Sequence, residues 1–351
     1  MNKDELIQTY PEITLLSYDD RDALSIYLRN RGILEANDSV VKTEKAGEGN
    51  MNFTMRVHTN QRTIILKQSR PWVEKYPDIK APWDRVMREA RFYELIKDHP
   101  QVASLTPEFY DLDPISRIIA IEDLGEARDF TDLYQGMQLT PDNIEALSHW
   151  LGALHSISFD ETSRNSLTNR DMRELNHEHI FHYPLIRNNG LDLNGITDGL
   201  SEAANRLIND VEYVEAVEEL GQFYLEDGPT LLHGDFFPGS WLKTRGGIMI
   251  IDPEFSFFGG SEYEIGVMLA HFILAQQNYE LITQFVHRYR FSVDISLVKT
   301  LKITGAEIMR RLIGVAQLPL SYGLKKKVSL LETSHTLVLH PEKSVLYASV
   351  N

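Results

Sequence analysis

Apolar positions change period along this chain, and each change marks a change of architecture. Over residues 19–33, "DDRDALSIYLRNRGI", Leu24, Tyr27 and Leu28 share one helical face, acidic residues fill the first turn, and Gly32 supplies the stop. The period then shortens to two. Residues 52–57 and 62–68 read as strands around the turn "HTNQ", with a short strand and the loop "AGEGN" before them. In "APWDRVMREARFYELIKDH", Val86, Ala90 and Tyr93 line one side with Phe92 and Ile96 beside them, which predicts a helix. "PEFYDLD" and "RIIAIEDLG" predict two further strands that close a mixed sheet. From Thr140 the texture is helical: Thr140 caps, Pro141 takes the first helical position, and Ile144, Leu147, Leu151 and Leu154 form the stripe. Most of 140–225 and 262–340 reads as helix, with 231–257 an embedded strand-and-loop segment. The pattern predicts an α+β protein with a sheet-rich N-terminal part, 1–124, and a larger helical part, 125–351.

Composition narrows the function classes. With 351 residues, 42% hydrophobic and 25% charged, the chain has the make-up of a globular protein large enough for two domains. A net charge of −16 argues against nucleic acid and against an anionic membrane surface, since no basic excess is there to neutralise phosphates. A phosphate-bearing ligand would need locally placed cations or a metal. There is no cysteine, which removes disulfides and thiolate chemistry and fits a reducing compartment. The start, "MNKDELIQTYPEITLL", lacks the basic and apolar regions of a signal peptide, and no apolar run approaches the roughly 18 residues of a membrane helix. A soluble, cytoplasmic protein is expected.

Several polar residues stand where apolar ones would be ordinary. In "KAGEGNMNF", Gly47 and Gly49 allow backbone amides to bend around phosphate oxygens, or allow a plain turn between strands. Lys67 lies inside the apolar strand "TIILKQS", where a lysine either snorkels to solvent or meets an anion. Glu89, 22 residues on, and Glu94 both compete for that role. A strand lysine paired to a helix glutamate beneath a glycine loop is how protein kinases hold nucleotide phosphates.

The segment "LLHGDFFPGSWLKTRGGIMIIDPEFSFFGG" places Asp235, and seventeen residues later Asp252 followed by Glu254, at the edges of apolar runs. There a bare carboxylate costs about several kcal/mol unless a metal, a cation or a proton neutralises it. Asp235 sits in a tight turn with Gly234, Pro238 and Gly239, in the manner of a catalytic base. Ser240 stands five residues on, where kinase loops place a metal ligand. Asp252 with Glu254 or Ser240 suits magnesium, which takes few carboxylates and completes its shell with phosphate oxygens and water. Trp241 reads as core. "NHEHIFHYP" holds His177, His179 and His182 without the spacing of a zinc protease motif.

Taken together, "HGDFFPGSWL", the strand ending in Asp, and "LGALHS" at 151–156 resemble the aminoglycoside phosphotransferase and choline kinase superfamily. Within it the nearest likeness is to the methylthioribose kinases, carried by "AGEGNMNFTMRV", by "HGD" with Ser240, by "DPEFSFFG", and by the paired arginines of "MRRLIGVAQ". The chain departs from them at "FFPG" and at Glu264, where an Asp is usual. The resemblance implies a two-lobed, protein-kinase-like α+β fold with a nucleotide-binding N-lobe, 1–124, and a C-lobe, 125–351, holding the catalytic loop and the substrate site. It implies ATP, with adenine against the backbone of Glu122 to Leu124 and Gly47, Gly49 and Asn50 over the phosphates. Lys67, oriented by Glu89, would hold phosphate oxygens, and Mg2+ would sit on Asp252 with Glu254 or Ser240. Asp235 would accept or orient the substrate hydroxyl proton. Arg310 and Arg311 would hold a sugar, although helix neighbours point about 100° apart, so one of them stands equally as a surface cation. The expected reaction is phosphorylation of a small-molecule sugar hydroxyl, methylthioribose in particular. An aminoglycoside or amino alcohol acceptor, or a nucleotide-binding regulator without catalysis, are the alternatives. The C-terminal "LHPEKSVLYASVN" leaves a homodimer and a monomer equally open.

Overall fold

The alternating segments pair as one sheet in the computed structural model, which describes residues 2–47, 49 and 51–350. Its strands are β1 (Val40–Lys45), β2 (Phe53–Thr59), β3 (Thr63–Gln68), β4 (Phe109–Asp113) and β5 (Ile118–Glu122), lying side by side as β1-β2-β3-β5-β4. Every pairing is antiparallel, so the sheet is not mixed as expected: β2–β3 and β4–β5 are hairpins, and β5 docks head-to-tail on β3. Because side chains alternate between faces, the sheet carries two different coats. Met55, Val57, Ile64, Leu66 and Ala120 pack with Leu24 and Leu28 of the helix Arg21–Asn30. Lys67, one place on from Leu66, belongs to the opposite face, paired across the sheet with Thr54 and Ile119. The helix Arg85–Ile96 packs against β4 and β5 and buries Val86, Glu89, Ala90 and Tyr93. These are spaced three and four apart, as one helical face requires.

These elements belong to the first of two compact units, residues 1–127 together with 244–255; the second comprises 128–243 and 256–351. The short return brings the strand Gly247–Ile250, and after it Asp252 and Glu254, into the first unit. There the Ile250 amide donates to the Leu105 carbonyl at 2.7 Å.

The second unit is mainly helical. Its helix Ser261–Leu274 is buried on nearly every side and packs along Leu297–Ile313, which in turn packs along Leu324–Leu339. The helix Pro141–His155 lies against Tyr279–Arg290. A two-stranded ladder, Thr230–Leu232 with Phe257–Gly259, leads into the segment that carries Asp235. Trp241 is fully buried, as expected, with its ring against Phe130, Phe236 and Phe272. Three elements were not legible as periodicity because they are too short to show a repeat. They are the helix Lys3–Thr9, the hairpin of Trp72–Val73 with Tyr76–Lys80, and a π-helical turn at Glu178–His182. Among the described residues no helix is long and apolar enough to cross a membrane.

The start of Pro141–His155 follows its sequence signature. Thr140 Oγ1 accepts from the Asn143 amide at 3.2 Å, and Asn143 Oδ1 accepts from the Thr140 amide at 3.0 Å. Thr140→Ala removes half of this box and should cost about 1 kcal/mol in urea unfolding, whereas Thr140→Ser should cost little. Equal unfolding midpoints for the alanine variant and the wild type would contradict the capping account.

Candidate active site

In the first unit the site is organised by Lys67. Its ammonium donates to Glu89 Oε1 at 2.7 Å and also contacts the Asp252 carboxylate. Glu89 therefore wins the competition left open by the sequence. It lies on the buried face of its helix, while Glu94, five residues on and about 140° further round, is on the solvent side bonded to Arg91. Burial pushes the Glu89 carboxyl up to about 7, although Lys67 pulls against it. Burial alone would lower Lys67, but Asp252 and then Glu89 hold it well above its ordinary value, so it stays charged. Asp252 has φ +63°, a left-handed conformation that Asp tolerates better than most residues. Its side chain is 46% exposed, in contrast with 0% for Glu89, so Asp252 is the accessible carboxylate beside the buried cation.

Glu254 faces another way. Its Oε2 accepts from Asn52 Nδ2 at 2.7 Å and lies 3.7 Å from Arg85 Nε, while Asn52 Oδ1 accepts from that same Arg85 nitrogen at 3.1 Å. Arg85 is fully buried and also donates to the carbonyls of Met51, Arg70 and Pro82. Glu254 is thus held by Asn52 and Arg85, and neither residue was singled out from the sequence. The available signal was an asparagine repeated in "GNMNF" and an arginine at the start of an otherwise apolar helix face.

The turn after β1 begins at Gly47, whose φ of +70° favours glycine, and among the described residues, chain neighbours apart, no heavy atom lies within 4 Å of where a Cβ would stand on Gly47 or Gly49. Asn50 lies outside the described residues. At the end of β5, Glu122 uses its amide to bond the Glu108 carbonyl at 2.8 Å. Arg56 then pins the following turn, donating to Asp123 Oδ1 and to the Gly125 carbonyl, each at 3.0 Å. Between these fixed points, Leu124 forms no backbone hydrogen bond among the described residues.

In the second unit the loop bearing Asp235 is braced from both sides. Ahead of it, the buried Glu264 accepts the His233 amide at 3.0 Å on Oε2 and the Gly234 amide at 2.7 Å on Oε1. Gly234 has φ +84°, which turns the chain so that both amides reach one carboxylate. After it, Ser240 Oγ donates to the Asp235 carbonyl at 2.7 Å. Phe236 stacks on Trp150 with ring centroids 5.2 Å apart. Ser240 is buried and its hydroxyl is engaged in closing this loop, which is the role the structure gives it.

Beside that loop stands the arginine pair. Arg310 Nη1 donates to both oxygens of Glu307, at 3.1 and 3.0 Å, and Arg311 Nε donates to Glu307 Oε1 at 2.6 Å. Their side chains are 12% and 7% exposed, so neither is a plain surface cation. The Arg311 guanidinium lies 5.2 Å from the ring centroid of Phe237, two residues after Asp235, and Phe237 also packs on His271. Burial would raise the Glu307 carboxyl, but Arg310 and Arg311 hold it far below the carboxylate range. Burial pushes His271 down to about 4, so it is neutral. Its Nδ1 pairs with the Tyr134 hydroxyl at 2.6 Å, and its Nε2 lies 3.4 Å from Glu307. Glu307 was missed in the sequence, although its position three and four residues before the arginines is the spacing of helical ion pairs. The histidines of "NHEHIFHYP" form no metal centre: among the described residues no group of three or more His, Cys, Asp or Glu could hold an ion.

One sequence profile, that of the phosphotransferase enzyme family, matches residues 42–295, a span that holds Lys67, Glu89 and the braced His-Gly-Asp loop but not the arginine pair. The chain belongs to that family. Among curated relatives it is 26% identical over 282 residues to a methylthioribose kinase of Bacillus pumilus, covering 77% of this chain and 68% of that protein. It is 25% identical over 249 residues to the methylthioribose kinase of Exiguobacterium sibiricum, covering 67% and 61%. The chain thus spans roughly two thirds of the length of these relatives. Among solved structures, a spectinomycin phosphotransferase in complex with ADP and spectinomycin aligns with a TM-score of 0.55 at 13% identity, over 93% of this chain and 100% of that one. An ethanolamine kinase of Plasmodium vivax aligns with a TM-score of 0.52 at 14% identity, over 99% and 95%. The α+β fold, sheet-rich at the N-terminal end and helical at the C-terminal end, is therefore the kinase-like fold of these phosphotransferases. Family membership and the methylthioribose kinase relatives indicate a phosphotransferase with a hydroxyl group as acceptor.

Lys67→Met tests the electrostatics of the first unit. Without the cation, the Glu89 carboxyl rises beyond its value of about 7. A carboxyl whose folded pKa exceeds its unfolded one makes stability fall as pH rises between the two. Wild type should therefore level off above about pH 7, whereas the variant should go on losing about 1.4 kcal/mol per pH unit. Urea unfolding across neutral pH checks this, and parallel curves would show that Lys67 does not hold Glu89 ionised.

Proposed function

We propose that this phosphotransferase uses magnesium ATP to phosphorylate a hydroxyl of a neutral sugar of the methylthioribose type. The observation that carries the reading is the Arg310/Arg311 pair on the single carboxylate of Glu307, with Arg311 on Phe237 of the Asp235 loop. Arg310 and Arg311 face Glu307, and Arg310 also feels the charge of Asp235; two guanidinium groups at this place disfavour the ammonium groups of amino alcohols and aminoglycosides, which like charges repel. Their remaining N–H groups suit the lone pairs of sugar hydroxyls. The methylthioribose kinase relatives support the same substrate class.

The first unit is the nucleotide-binding part in this reading. Lys67, held in place by Glu89, exchanges the Asp252 carboxylate for phosphate oxygens, and the turn at Gly47 and Gly49 offers amides over them. The backbone of Leu124, two residues after Glu122 and without a backbone hydrogen bond among the described residues, suits the edge of adenine. Asp252 is the residue that would hold magnesium: it is the exposed carboxylate, whereas Glu254 is engaged with Asn52 and Arg85 and Ser240 with the Asp235 carbonyl. Magnesium, when bound, offsets the charge of the transferring phosphoryl group. Asp235 takes or orients the proton of the attacking hydroxyl. Positioning and electrostatics supply nearly all of the catalysis, since phosphoryl transfer asks little covalent chemistry of the protein. The absence of cysteine fits a cytoplasmic setting for this reaction.

Coupled ADP release with Mg-ATP, comparing 5-methylthioribose, ribose, choline and an aminoglycoside, tests the proposal. Turnover should be specific to methylthioribose and should fall by about a hundredfold or more in Asp235→Asn. Arg310→Met should raise KM for the sugar by roughly tenfold and leave KM for ATP unchanged. Turnover with choline or the aminoglycoside alone would overturn the sugar assignment. ATP binding without turnover on any acceptor would favour a regulator.

A further inference from the structure

We propose that His155 and Tyr289 are positioning residues for Asp235, acting through Glu264; the proposal rests on the reading of Asp235 as the group that handles the hydroxyl proton. His155 ends the helix Pro141–His155, and Tyr289 lies near the end of Tyr279–Arg290, so neither belongs to the loop they serve. The Tyr289 hydroxyl pairs with His155 Nδ1 at 2.7 Å, and His155 Nε2 pairs with Glu264 Oε2 at 2.9 Å. Glu264 in turn accepts the amides of His233 and Gly234, the two residues before Asp235. All three side chains are buried: His155 and Glu264 are 6% and 1% exposed, and Tyr289 is 0% exposed.

The chain of bonds has a fixed direction. An ionised carboxylate can only accept, so His155 Nε2 carries the proton and donates. Burial alone would raise the Glu264 carboxyl, but the His155 donor and the neighbouring His233 bring it below its ordinary value, so it is ionised. Burial holds the Tyr289 hydroxyl protonated, and it fixes the imidazole from the side opposite Glu264. Oε2 is shared by His155 and the His233 amide, so any rotation of the carboxylate that relieves one donor strands the other. Removing His155 would free Glu264 to turn, and the Gly234 amide on Oε1 would lose its fixed acceptor. The direction in which Asp235 leaves this turn depends on those two amides. A displacement of about 1 Å at a reacting group can cost roughly a hundredfold in rate. His155 and Tyr289 do not themselves meet substrate, so their removal acts on kcat and not on substrate binding.

Hydrogen–deuterium exchange on the 351-residue chain tests this directly. The readout is the peptide spanning 231–236, with one spanning 297–313 as internal reference, in wild type, His155→Leu, His155→Gln and Tyr289→Phe. In His155→Leu the 231–236 peptide should exchange about tenfold faster or more while the reference is unchanged. His155→Gln keeps an N–H for Glu264 and should return close to wild type, with Tyr289→Phe between the two. On the acceptor that gives turnover, kcat should fall in the same order, with KM for ATP within about twofold. Unchanged exchange at 231–236 in His155→Leu, or a glutamine variant no better than the leucine one, overturns the proposal. Should His155→Leu fail to fold, Tyr289→Phe decides on the same peptide: faster exchange supports the brace and wild-type exchange overturns it. Full turnover in Asp235→Asn would instead sink the reading of Asp235, while the exchange data judge the brace independently.

Discussion

A carboxylate taken out of water must be surrounded by donors, and this constraint organises both halves of the molecule. Left bare, each buried charge would cost about several kcal/mol. Glu89 meets the constraint with Lys67, Glu264 with two backbone amides and His155, and Glu307 with two arginines. In each case the donors are functional candidates or the backbone that carries one. Satisfying the glutamate and placing the site are the same physical event. A surface ion pair would not do this, because water competes for both partners and leaves them free to move.

The three glutamates differ in how far they are compensated. Glu307, against two guanidinium groups, is held far below the carboxylate range, so Arg310 and Arg311 rest on a permanent negative charge. Glu89 has one lysine, shared with Asp252, and is pushed up to about 7. That leaves Lys67 with two carboxylate partners, one buried and one exposed. Glu264 is met by two backbone amides and an imidazole N–H. It therefore depends on geometry more than the other two, and a second layer behind it, His155 and Tyr289, supplies that geometry. Tyr134 and His271 stand in a similar order behind Glu307, but His271 Nε2 lies 3.4 Å from Glu307 and outside hydrogen-bond geometry.

Much of this was legible in the order of residues. Period two over 52–57 and 62–68, the cap at Thr140 with Pro141, and the stripe of Val86, Ala90 and Tyr93 fixed elements whose bounds the structure moves by only a few residues. Lys67 stood out because a lysine in an apolar strand needs an anion, and Asp235 and Asp252 because carboxylates at the ends of apolar runs need a cation. These are local statements, and local chemistry decides them.

What the chain alone determined, then, was which residues had to be satisfied: Lys67, Asp235 and Asp252 broke their local pattern, while the arginine pair stood out only through the family resemblance. Which partner satisfies each was decided only by the tertiary structure. Glu89 rather than Glu94 meets Lys67 because helix phase, anchored by Val86 and Ala90, turns one inward and the other out. Glu254 goes to Asn52 and Arg85, and Ser240 to its own loop, because those donors and acceptors stand within hydrogen-bond reach once the backbone has turned. Glu264 finds His155 across 109 positions of sequence, and Tyr289, 134 positions from His155, completes the chain of bonds. Hydrogen bonds act over about 3 Å and carry no trace in sequence spacing, so partners that distant are chosen by packing.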